Sequence, residues 1–140
     1  MDSLNIKGTA HTPEIDFRPD DQYFCISGRA IPADADIYYY PVIKYLQILK
    51  KDLIAIKYNK LLTFDFKLIY YNSSSIRYLN TIFQELEIIA QNTKIVVNWY
   101  FVTDDEYLEE MGEYFKDMFN INIVLVPIAP PVNLRRQKFL

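Results

Sequence analysis

A single cysteine and a single histidine stand in this chain of 140 residues, and that scarcity excludes much chemistry. One thiol cannot close an internal disulfide, which fits a reducing compartment. Cys25 lies in the apolar run Tyr23-Phe24-Cys25-Ile26 and reads as a small buried hydrophobe rather than a reactive thiol. Cys25 and His11 together fall short of any Cys/His zinc site. His11, in Gly8-Thr9-Ala10-His11-Thr12-Pro13, has no carboxylate or second catalytic group placed with it by a recognisable spacing. No catalytic residue, metal ligand or cofactor site is therefore assigned, and the chain reads as non-enzymatic.

Long apolar runs are missing too. No stretch reaches the roughly 18 residues needed to span a bilayer. The start, Met1-Asp2-Ser3-Leu4-Asn5-Ile6-Lys7, lacks the basic and apolar regions of a secretory signal, so the expected location is the cytoplasm. Excess positive charge is absent: the formal net charge is −3 and the pI about 5.1, which removes the electrostatic footprint of a nucleic-acid binder. The one basic cluster is Arg135, Arg136 and Lys138, a polar tail or a contact for an acidic partner.

What is present is the composition of a folded domain, with 51% hydrophobic and 24% charged residues. A chain of this length buries roughly 68–70% of its unfolded surface, enough for a core without staples. We expect one domain over residues 1–128 and a basic tail over residues 129–140.

Periodicity supplies the element order. Glu14 to Arg18 and Tyr23 to Arg29 read as an antiparallel hairpin around Pro19-Asp20-Asp21. Val42, Leu46, Leu49 and Leu53 recur at helical spacing. Pro41 in the first turn would start that helix between Asp36 and Tyr40; its end is open, with Ile56 continuing the spacing toward Tyr58 before Asn59-Lys60. Leu61 to Tyr71 reads as a central strand covered on both faces. A helix follows with Ile76, Leu79, Phe83 and Leu86 on one face, flanked by Ile82 and Ile89. Ile95 to Phe101 is a further strand. Thr103 and Glu106 have capping-box spacing before a helix that buries Leu108, Met111, Phe115 and Met118. A last strand, Ile121 to Val126, stops at Pro127. Strands joined by helices imply right-handed crossovers and a mainly parallel sheet flanked by helices, behind an N-terminal hairpin.

The run Tyr70-Tyr71-Asn72-Ser73-Ser74-Ser75-Ile76-Arg77 is the most informative segment. A strand ends, three hydroxyls follow, and a helix begins, so free amide hydrogens and the positive dipole end favour an anion there. Plain helix capping by a serine competes with an anion site or a phosphoacceptor. Asp104, Asp105, Glu106, Glu109, Glu110 and Glu113 read as a dipole-matched solvated face rather than a Mg²⁺ site. Part of the trio Tyr38-Tyr39-Tyr40 could line a protein-binding groove; the rest reads as core with one wet end.

Several motifs agree in order: Ile6-Lys7-Gly8-Thr9-Ala10-His11-Thr12-Pro13-Glu14-Ile15, Gly28-Arg29-Ala30-Ile31-Pro32, Tyr40-Pro41-Val42-Ile43, Phe66 to Ile76, Trp99-Tyr100, Asp104-Asp105-Glu106 and Gly112-Glu113. Through them the chain resembles the SiaC-type family of bacterial regulatory phosphoproteins, related in shape to STAS-domain anti-sigma-factor antagonists. The resemblance spans roughly residues 4 to 126. It implies a non-enzymatic relay in which a dedicated kinase phosphorylates the hydroxyl after the motif asparagine and a metal-dependent phosphatase removes the group. The unmodified form would bind a regulated protein, in the best-known system a diguanylate cyclase of cyclic di-GMP signalling. Carried onto this chain, the phosphoacceptor is Ser73, flanked by Asn72, Ser74 and Ser75, with Ser74 the neighbouring alternative. Thr9, Thr12, Pro13 and Tyr40 are the candidate partner surface. Leu53 to Lys60 and the Pro-Pro basic tail depart from the family pattern. A sensor binding phosphate or a small molecule at the same helix N-terminus is the alternative function.

Overall fold

A computed structural model describes residues 1–130; the cluster Arg135, Arg136 and Lys138 lies outside the described residues. The strands are β1 (Leu4–Ile6), β2 (Glu14–Arg18), β3 (Tyr23–Ala30), β4 (Leu62–Tyr71), β5 (Ile95–Val102) and β6 (Ile123–Ile128). Helix α1 (Ala35–Ala55) connects β3 to β4, α2 (Ser73–Ala90) connects β4 to β5, and α3 (Glu106–Met118) connects β5 to β6. All six strands form one sheet in sequential order. The β1–β2 and β2–β3 pairs are antiparallel, and β3 through β6 run parallel.

Sequential order with right-handed crossovers sends every helix to the same face, and the side chains agree. Ile95, Val97, Trp99 and Phe101 of β5 are buried while the residues between them are only half-buried. Phe66 and Trp99 pack against Phe83 of α2, which stacks at 4.2 Å on Phe115 of α3. Phe17 of β2 meets Tyr45 of α1 on that side. The expectation of a central strand covered on both faces is thus corrected. The outward residues of β4 include Asp65 and Lys67, and the Asp65 carboxylate accepts from the Tyr23 hydroxyl at 3.0 Å and the Asn98 amide at 2.9 Å.

Element boundaries moved for identifiable reasons. Helix α1 begins at Ala35, earlier than Pro41 suggested, because Asp34 caps it by accepting from the Ile37 amide at 3.2 Å. Pro41 lies inside the helix, where the carbonyl it leaves unpaired is that of Ile37, an exposed residue that water can reach. The helix ends at Ala55 rather than Tyr58, because Lys57 turns left-handed at φ 51°. Thr103 does not cap α3: its amide still donates to the Ile128 carbonyl at 3.0 Å, and Asp105 takes the cap, accepting from the Leu108 amide. Met118 is exposed, and Gly112 sits on the buried face instead. Strand β6 runs through Pro127, which an edge strand tolerates because only one side of it must donate. The short strand β1 was not read from the sequence. No helix among the described residues is long and apolar enough to cross a membrane.

Candidate functional site

The serine run falls at the junction of β4 and α2, at the C-terminal end of the parallel strands. Asn72, and not one of the serines, takes the N-cap. Its Oδ1 accepts from the Ser75 amide at 2.9 Å and from the Ser74 hydroxyl at 3.0 Å. An asparagine in extended backbone is as good a cap as serine, so the three hydroxyls are released to different fates. Ser75 is fully buried and its Oγ lies 3.0 Å from the Tyr39 hydroxyl. Ser74 is exposed but tied to Asn72. Ser73 is exposed, occupies the first helical position, and has no side-chain hydrogen-bond partner among the described residues.

Three segments converge on this junction. The Asn72 amide donates to the Ala30 carbonyl at 3.2 Å, at the end of β3. One residue on, the Ile31 amide donates to the His11 carbonyl at 2.9 Å, which brings in the loop between β1 and β2. That loop is a self-contained turn: the Thr9 hydroxyl accepts from the His11 and Thr12 amides and meets the Thr12 hydroxyl at 2.7 Å. The first turns of α1 complete the group. Tyr38 donates to the Pro13 carbonyl, packs edge-on against Tyr39, and Tyr39 stacks on Tyr78 of α2.

Of the expected partner surface, Thr9 is exposed, Thr12 half-exposed, and Tyr40 stands 66% exposed. Pro13 is buried and belongs to the support rather than to the outer surface. Its carbonyl anchors Tyr38. The structure adds residues that the sequence reading left aside. Ile37 is 74% exposed, Tyr70 54% and Tyr107 76%. Arg29 lies over the Tyr70 ring at 4.6 Å. Arg77 follows Ser73 by one helical turn, a spacing visible in the sequence. The Tyr71 hydroxyl donates to the Tyr107 carbonyl at 3.3 Å, tying the end of β4 to α3.

Burial shapes the ionisation of this end. It pushes the Tyr38 and Tyr39 phenols well above their ordinary range, with the neighbouring Tyr39 adding to the effect on Tyr38. Burial likewise raises the Tyr71 phenol, and the carboxylates of Asp105 and Glu110 add to it. All three stay neutral hydroxyls near pH 7 and hold their hydrogen bonds. His11 is exposed on its loop. Among the described residues no group of three or more His, Cys, Asp or Glu side chains is arranged to hold a metal ion.

Comparison with known proteins gives a consistent picture. A family model described as SiaC family regulatory phosphoprotein matches residues 6–128. Among solved structures, apo-SiaC from Pseudomonas aeruginosa is 24% identical, with a TM-score of 0.78 over 90% of this chain and 99% of that one. The complex of the diguanylate cyclase SiaD with its activator SiaC, also from Pseudomonas aeruginosa, matches at 23% identity and a TM-score of 0.79, covering 89% of this chain and 99% of that chain. At these identities the structural likeness establishes the fold. No curated protein sequence matches the chain at a significant level.

Proposed function

Because the chain belongs to the SiaC family of regulatory phosphoproteins, we propose that it is a non-enzymatic, cytoplasmic switch set by reversible phosphorylation of Ser73. The unmodified form binds and regulates a protein target, and the phosphorylated form releases it. A dedicated kinase and a metal-dependent phosphatase set the balance. The target class we favour is a diguanylate cyclase, by analogy with the Pseudomonas aeruginosa complex.

The observation that carries the assignment is the division of labour among the serines. Ser75 is buried and Ser74 is bonded to the cap, which leaves Ser73 as the hydroxyl open to a kinase. The helix tolerates the product, since a dianion at the first position faces free amides and the positive end of the dipole. The target does not. Tyr70 precedes Ser73 by three residues, and Ile37 and Tyr40 flank Tyr39, whose hydroxyl meets Ser75; all three are exposed aromatic or aliphatic anchors, and exposed apolar residues of this kind serve protein-binding surfaces. A phosphate among them must be desolvated for the target to dock, and a tenfold loss of affinity requires only about 1.4 kcal/mol.

The test is peptide-level mass spectrometry of the protein isolated from its own cells. A phosphate on Ser73 supports the switch. A chain never phosphorylated between Asn72 and Ser75, even with its kinase supplied, overturns it.

A further inference from the structure

Strand β6 ends beside a cleft. Its last residue, Ile128, pairs with Val102, and the Ile128 carbonyl accepts from the Thr103 amide at 3.0 Å. Asp104 and Asp105 follow at once. The ladder between β4 and β5 stops at Phe66 opposite Trp99, while β4 continues to Tyr71 along β3 and β5 to Val102 along β6. A cavity of about 450 Å³ lies near those ends, bordered by residues 67–70, 100–102 and Ile128, and by Asp104 and Asp105.

Buried Leu68, Phe101 and Leu108 close the core side of this cleft, while Ile69, Tyr70 and Ile128 leave apolar surface exposed on it. Its size suits a small ligand or a few side chains. Lys67 is engaged already, 4.0 Å from Asp65 and 5.0 Å from the Tyr100 ring. Asp105 spends one carboxylate oxygen on the Leu108 amide, and neither it nor Asp104 has a cationic partner among the described residues.

The sequence that follows has the matching chemistry. Val132, Leu134, Phe139 and Leu140 are apolar, Arg135, Arg136 and Lys138 are basic, and residues 131–140 contain no acidic side chain. These ten residues lie beyond the family match over residues 6–128, so the family relationship assigns them no role. They are rooted at the cleft itself. Arg135 stands seven residues past Ile128, at most roughly 25 Å of chain, and Ile128 is hydrogen-bonded to the residue before Asp104. A link this short holds the cations near the carboxylates at an effective concentration of about a millimolar or more. Weak exposed ion pairs can then add to the burial of apolar surface.

We propose that the segment Val132 to Leu140 binds back into this cleft, its apolar side chains against Ile69, Tyr70 and Ile128 and its arginines at Asp104 and Asp105. Docked there, it covers Tyr70, one of the exposed side chains assigned to target binding above, so the segment and the target compete for that residue. The docking itself does not depend on phosphorylation of Ser73.

The test is ¹⁵N NMR of the full-length chain, comparing the parent with the double variant Arg135→Glu, Arg136→Glu. The variant should shift the amides of residues 69–70, 102–105 and 128 and leave the rest of the sheet unchanged. The heteronuclear NOE of residues 132–136 should match that of the strands in the parent and fall in the variant. Adding Asp104→Arg to the double variant should restore both readings. Leu134→Asn, which leaves the charge unchanged, should also release the segment. Each releasing variant should lower the docked-to-free ratio by about three- to tenfold. A parent whose residues 132–136 already show the low NOE of free chain, or shifts that fall away from the cleft, overturns the proposal. Docking that grows with protein concentration also overturns it, because a second copy would then hold the segment. None of these failures touches the Ser73 switch.

Discussion

The hydroxyls of Tyr39 and Ser75 meet at 3.0 Å, and both residues are fully buried. This contact joins the first turns of α1 and α2 and separates two neighbouring serines into different roles. Ser75→Asp places a carboxylate where water cannot follow and should cost about 3 kcal/mol or more. Ser73→Asp, two residues earlier on an exposed first turn, should leave stability within about 1 kcal/mol of the parent. Tyr39→Phe removes the phenol from the buried pair and should cost about 1–2 kcal/mol. Urea denaturation of the three variants checks the order.

Gly112 packs directly beneath Trp99. A Cβ built at this position would stand 2.4 Å from the Trp99 ring and 2.7 Å from Leu125. The indole cannot retreat freely, because its Nε1 donates to the Leu108 carbonyl at 2.8 Å. Helix propensity alone favours alanine by about 1 kcal/mol. Overpacking should win, and Gly112→Ala should destabilise the fold by about 1–3 kcal/mol. An unchanged or higher melting temperature would contradict this packing.

Helix α1 ends with Lys57 at φ 51°, where its amide reaches the Ile54 carbonyl and the Tyr58 amide reaches the Leu53 carbonyl. This is the position that glycine fills without steric cost. Lys57→Gly should therefore stabilise the protein by about 0.5–1 kcal/mol, against the usual penalty of glycine elsewhere. Chemical denaturation would reveal the sign.

Alkaline pH should weaken the fold. Tyr45 is pushed up to about 12, chiefly by burial, and Tyr23, Tyr38 and Tyr39 are raised as well, again with burial the largest cause. Between the ordinary phenol value near 10 and these raised values, the unfolded chain has released protons that the folded chain still holds. Unfolding then becomes easier with each step in pH. Stability should be flat through neutral pH and fall above about pH 10. Absorbance titration of the 12 tyrosines should show a late group that ionises only as the fold is lost.

Much of this architecture is legible in the sequence because burial and spacing agree. The alternation through Phe64, Phe66 and Leu68 and the helical face Leu79, Phe83 and Leu86 both follow core demand. Caps are less legible, since competing polar residues stand within a few positions of one another. Which of Asn72 and the serines takes the cap, or whether Thr103 or Asp105 starts α3, depends on where the backbone leaves the sheet. Pro127 misled for a related reason: whether a strand is an edge is a property of the whole sheet. The early end of the β4–β5 ladder has no local signature, because each strand remains paired on its outer side. Pro13 shows the converse, a motif residue that supports the surface from within.

The most direct test is the affinity of the cognate target for the chain before and after its own kinase has phosphorylated Ser73. We expect a loss of about tenfold or more, equivalent to at least about 1.4 kcal/mol, and full recovery after dephosphorylation. Equal affinity of the two forms would contradict it.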